Sequence, residues 1–129
     1  MAVMQSRENR TFIAGEDLSA AQFKFVTLEA DGQVDLADAA GENCIGICLV
    51  GAAAGAAVTV CVGGKVMVEA GDAITAGDAI ATNAAGEAVA LADAGAASTT
   101  TMGYALEDGV DGQIIAIELI QGGNVSDQS

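Results

Sequence analysis

Apolar and polar residues interchange over short runs along this chain and never settle into a long helical period. The first run, Gln22–Leu28 (QFKFVTL), is rich in aromatic and β-branched residues and predicts a strand. Asp31-Gly32 gives a tight turn into a short return strand over Gln33–Leu36. Cys44–Val50 is the next apolar run. Ala57–Val62 and Lys65–Glu69 flank Gly63-Gly64, which predicts a hairpin with a type I′ or II′ turn. In that register Val62, Val60 and Val58 face Lys65, Met67 and Glu69, and neither face is polar enough to mark the solvent side. Further strands are predicted at Ala79–Thr82, Glu87–Leu91, Thr99–Leu106 and Gln113–Ile120. The last is apolar on nearly both faces, as a central strand is.

Many short strands with close Gly/Asp turns predict an all-β fold: a compact small β-barrel or β-sandwich, one domain over 14–120. Residues 1–13 are polar and mixed in charge and read as a flexible or extended N-terminal arm, with Phe12-Ile13 its first anchored point. Ala92–Ser98 reads as a small-residue loop, and 121–129 as a polar C-terminal tail. Proline is absent, so glycine and aspartate carry the turn chemistry.

Composition changes the picture in one respect. The chain is 52% hydrophobic, but much of that is alanine and only 3% is aromatic. Alanine buries little area, so such a domain gains by burying more surface against copies of itself or a larger assembly. Charge narrows the partners. The net charge is −14, and the cations are Arg7, Arg10, Lys24 and Lys65. A chain so acidic is repelled by nucleic acid and by anionic lipid. Ile45–Gly64 is uncharged and holds a GxxxG spacing, but it is mostly Ala and Gly, lacks Trp and Tyr at its ends, is flanked by Glu42 and Lys65 without a basic cluster, and alternates as a strand in its second half. It is not expected to be a membrane helix. The opening MAVMQSRENRTF does not have the form of a signal peptide.

Little in the sequence carries reaction chemistry. There is no histidine, hence neither the commonest general base nor the commonest zinc ligand. Cys44, Cys48 and Cys61 have no basic partner and read as small buried hydrophobes. No nucleotide, hydrolase or CxxC motif occurs, so neither an enzyme nor a cofactor is expected. Glu107, Asp108 and Asp111, with Glu118 further on, could suit calcium, but their spacing is not that of an EF-hand. The repeat Ala70–Ala81 (AGDAITAGDAIA) has too few copies for a solenoid or a calcium-binding repeat array. It reads as two tight turns whose glycines bend the chain, whose aspartates hold turn backbone, and whose Ile74 and Ile80 point inward. The alternative is a barrel-sandwich carrier of the biotinyl or lipoyl kind, or a small binding domain. It requires Lys65 at the tip of the Gly63-Gly64 hairpin, where no carrier motif surrounds it.

The order of features resembles a known family. The strand at Phe23–Leu28, Asp31-Gly32, Glu42-Asn-Cys-Ile-Gly-Ile, Val58–Glu69, the double Gly-Asp segment, Asn83-Ala-Ala-Gly and Met102-Gly-Tyr-Ala-Leu-Glu, then Ile114–Leu119, are similar to the small cement or head decoration proteins of tailed phages. The resemblance covers roughly 12–120. It implies a β-barrel-like, β-tulip-like domain, made in the host bacterial cytoplasm, that oligomerises, commonly as a trimer. It also implies binding to the major capsid protein on the outside of the head, at threefold or quasi-threefold junctions, against the pressure of packaged DNA. No catalytic, cofactor or metal residue comes with it. The arm offers the expected contacts with capsid or neighbouring subunit: Met4, Phe12 and Ile13 as apolar anchors, Arg7 and Arg10 toward acidic groups.

Overall fold

The computed structural model describes residues 5–91, 98–120 and 125–127. All its regular elements are strands: β1 (Gln5–Ile13), β2 (Phe25–Leu28), β3 (Val34–Leu36), β4 (Gly46–Val50), β5 (Ala57–Glu69), β6 (Ala79–Thr82), β7 (Ala88–Ala90), β8 (Ser98–Thr100), β9 (Gly103–Ala105), β10 (Ile114–Leu119) and β11 (Val125–Asp127). Nine of them form one curled antiparallel sheet in the order β3-β2-β4-β5-β10-β9-β6-β7, with β1 also on β5. The curl makes a half-barrel, the small-barrel architecture expected from the pattern. β8 and β11 pair separately, so part of the segment read as a tail is strand. The segment read as an arm runs, from Gln5 to Ile13, as strand β1 along β5.

The predicted hairpin at Gly63-Gly64 is absent. Ala57–Glu69 is one continuous thirteen-residue strand. Its first half pairs with β4 on one edge and β1 on the other, and its second half with β10, so the first half has no edge left for the second. The two glycines instead make a bulge. Gly64 has φ +99°, which glycine alone adopts at no steric cost, and the register against β1 slips beside it. A one-residue slip turns every later side chain to the other face. Val58, Val60 and Val62 accordingly enter one core cluster, and Val66 and Val68 enter another.

β5 thereby joins two copies of one unit. Offsets of 54 to 57 residues superpose the hydrogen-bond plan of β1 to early β5 on that of late β5 to β10. Gly15 N–H donates to the Val34 carbonyl and Gly71 N–H to the Ala88 carbonyl, both at 2.8 Å. Leu18 to Ala52 recurs as Ile74 to Gly109, Phe23 to Cys48 as Gly77 to Ala105, and Gly55 to Ala14 as Gly112 to Ala70. Strand registers repeat as well: Val26↔Leu36 and Ile80↔Ala90, Phe25↔Ile47 and Ala79↔Tyr104, Phe12↔Val58 and Val68↔Ile115. Even the left-handed φ recurs, at Phe23 (+65°) and at Gly77 (+91°).

The units stack rather than face each other as equals. The first unit's inner face forms a cluster of its own, including Leu18, Val26, Val34, Cys48 and Val60. Their counterparts Ile74, Ile80, Ala88, Ala105 and Ile117 pack together with the first unit's outer face, Phe25, Ala37, Cys44, Ile47 and Cys61. The first unit's outer face is therefore covered by the second unit.

The Ala-Gly-Asp segment divides differently from its sequence reading. Ile74 and Ile80 are buried as expected, and Gly77 supplies a turn. Gly71 does not have left-handed φ. It is a glycine for want of room, since a Cβ there would meet Asn83 and Glu87. Asp78 accepts from Thr75 N–H (2.9 Å), whereas Asp72 reaches only the adjacent Ala73 N–H (2.8 Å).

Candidate interaction surface

The residues expected to make contacts lie along β1. Arg10 is exposed, and its guanidinium pairs with Glu8 two residues back on the strand. Phe12 is half-buried against the first unit's core, and Ile13 is exposed at the strand's end. Arg7 falls in the register slip between Ser6 and Glu8. Met4 lies outside the described residues. β1 thus carries Arg10 and Phe12 on one face of the strand and Ile13 on the other.

Other candidate chemistry is taken up by the fold. Lys65 sits mid-strand, opposite Glu118 on β10, not at a hairpin tip where a carrier lysine stands. Glu107 accepts from Ala116 N–H and Asp108 from Ala76 N–H, both at 2.8 Å, so these carboxylates tie turns to neighbouring backbone. Among the described residues no three His, Cys, Asp or Glu side chains converge as metal ligands. No helix among them is long and apolar enough to cross a membrane. Cys44, Cys48 and Cys61 are buried and unpaired, and burial pushes each thiol up, away from the reactive thiolate.

Two exposed surfaces were not foreseen. On the outside of β9 and β10, Tyr104 (43% exposed), Leu106 and Ile114 stand beside Glu118. On the first unit, Leu28 (50% exposed) and Ile45 border a shallow cavity of about 260 Å³ that Asn43 and Cys44 complete. Tyr104 gave a signal, as the one tyrosine of an aromatic-poor chain, but alternation alone did not say which face of its strand was free.

The phage cement protein family matches residues 4–119, which spans both repeat units and nearly all of the sheet. The chain belongs to that family. Membership gives it a capsid-associated, structural role. No curated protein matches. Among solved structures, the head fiber gp8.5 N base in bacteriophage phi29 is similar: TM-score 0.65, 21% identity, over 87% of this chain and 92% of that one. At that identity the likeness concerns the fold. It shows that the cement-family chain shares a whole architecture with a phage head component, and not merely a strand motif.

Proposed function

We propose that the protein binds the outer surface of the assembled phage head at threefold or quasi-threefold junctions, as a trimer, and stabilises the shell against internal DNA pressure. The family match over residues 4–119 carries this reading. Several properties support it. The acidic surface disfavours packaged DNA, the alanine-rich core leaves stability to be gained by association, and reaction chemistry is absent from the reading of its residues. The role is structural, non-enzymatic and without a cofactor, and the partner is the major capsid protein. The arm residues Met4, Arg7, Arg10, Phe12 and Ile13 contribute to docking on capsid or on a neighbouring subunit.

Adding the protein to expanded heads that lack it tests this directly. Symmetric added density over the threefold positions, with heads more resistant to heat, is the expected result. Absence of binding, or scattered binding without symmetry, overturns it. Removing residues 1–11 would take most of β1 off β5, so the arm is better tested by joint Arg7→Glu and Arg10→Glu, which should weaken head binding.

A further inference from the structure

We infer that copies of this chain associate head to tail, with the β1 side of one first unit seated on the open outer face of another copy's second unit. The contact continues between chains the stacking that joins the two units within one. It does not depend on capsid binding.

The repeat shows which surfaces an additional unit would cover. Within the chain, Phe25, Ile47 and Cys61 on the first unit's outer face are fully buried under the second unit. Their repeat counterparts, Ala79, Tyr104 and Glu118, are half-buried or exposed because no third unit follows. The complementary side shows the same deficit. Val66, Val68, Thr82 and Met102 are fully buried in the second unit. Their counterparts in the first, Arg10, Phe12, Leu28 and Ile45, are exposed or half-buried. The surfaces that meet inside the molecule are thus open at one end over Ala79, Tyr104 and Glu118, and at the other along the flank of Arg10, Phe12, Leu28 and Ile45, while Val26, Val34, Cys48 and Val60 are already closed in.

Charge and backbone suit the same pairing. The open face carries Glu118, with Lys65 opposite it on β5, and Glu107, Asp108 and Asp111 lie in the turn beyond β9, so carboxylates outnumber cations on that side. The incoming side carries Arg10, whose exposed pair with Glu8 must be shared or exchanged in the contact. An apolar set within the chain, Val66 with Ile47 and Cys61, becomes Arg10 with Tyr104 and Glu118 between chains: a cation for an aromatic face and a carboxylate. Within the chain Glu69 N–H also donates to the Phe23 carbonyl at 2.8 Å. The matching pair between chains is Ile13 N–H and the Gly77 carbonyl. Such a contact uses different surfaces on the two partners, and it closes into a ring if the rotation between copies permits.

The test is the mass of the full chain in solution against concentration and salt, by sedimentation equilibrium. The wild type should assemble beyond the monomer, less so at high salt. Arg10→Glu and Tyr104→Asp should each weaken association about tenfold or more. Arg10→Glu combined with Glu118→Lys should recover much of the loss, which a merely misfolded variant would not. Val50→Asp, at an exposed β4 site that belongs to neither named set, should change nothing. A wild type that stays monomeric at every concentration overturns the proposal. So does assembly that ignores Arg10→Glu and Tyr104→Asp, whatever Val50→Asp does.

Discussion

Val66 and Arg10 hold the same place in the repeat and live in opposite surroundings, one sealed in the core and the other in water. The same holds for Ile47 and Tyr104. Their backbones follow one plan, so backbone geometry does not decide which side chains are apolar. What decides is whether another layer lies on top. The first unit is covered on its outer face and the second is not, and the composition of each face follows the cover.

The sharpest way to break this comparison is to truncate both members of a pair. Phe25→Ala removes a fully buried ring from the covered face and should cost about 3–5 kcal/mol, near the whole stability of so small a core. Tyr104→Ala on the open face should cost the isolated chain less than about 1 kcal/mol. Urea unfolding of the two variants at low protein concentration reads the difference directly. Equal costs would mean that the second unit does not cover the first.

A smaller effect tests the sameness of the units. Gly46 and Gly103 are counterparts, and a Cβ on either would press into a neighbouring carbonyl, of Cys61 or of Glu118. Alanine at either should destabilise by about 1–3 kcal/mol, by similar amounts in the two units. The left-handed site offers a contrast between units: Gly77→Ala should cost about 1–2 kcal/mol, because the second unit uses glycine where the first tolerates Phe23. Thermal unfolding of the three alanine variants checks both expectations.

Each unit also holds a carboxyl that responds to pH. Asp35 Oδ1 is buried without a partner where the second unit has Val89. Burial, then the carboxylates of Glu16, Glu29, Asp31 and Asp38, hold Asp35 above the ordinary carboxylate range. Burial, then Glu87, raises Glu69 as well. A raised folded pKa means that the folded state keeps protons which the unfolded state releases. Stability from these groups is therefore full below the ordinary carboxylate range and is lost as pH rises through the folded values. The melting temperature should increase on mild acidification from neutrality, and Asp35→Asn should flatten that slope. The smallest effect concerns the turns. Asp78→Ala should cost about 1 kcal/mol and Asp72→Ala a few tenths, since Asp78 holds an amide three residues away and Asp72 only its neighbour's.

Most strands were legible in the sequence because alternation and Gly/Asp turns are local signals; β1, read as an arm, and β11, read as tail, carry no such signal. Ala79–Thr82 was found with its observed ends, and the chain's all-β character followed. Two further features escaped for physical reasons. Gly63-Gly64 supports a hairpin or a bulge equally well by local propensity, and the choice is made by partners on β1, β4 and β10 far away in sequence. The short Ala-Gly-Asp echo at Ala70–Ala81, read as two like turns, is not the structural repeat. Ala70-Gly71 corresponds to Ala14-Gly15, and Ala76-Gly77 to Gln22-Phe23, so the two Gly-Asp steps sit at different corners of one unit. The true period is carried by hydrogen bonds and registers that tolerate Phe23 for Gly77 and Arg10 for Val66, and so it barely marks the residue pattern. Of the candidate contact residues, those on β1 were visible by charge and position. Tyr104, Leu28 and Ile45 were not, because their exposure depends on which layer ends the stack.

Because β5 belongs to both units, force pulling them apart acts first on a covalent chain and only then on a packed interface. The strand is held along its length by β1, β4 and β10. To extend it, many ladder hydrogen bonds must slide together instead of parting one at a time. A link of that kind yields late and abruptly under shear. That mechanical character belongs to how one strand is shared, and the small alanine-rich core need not supply it.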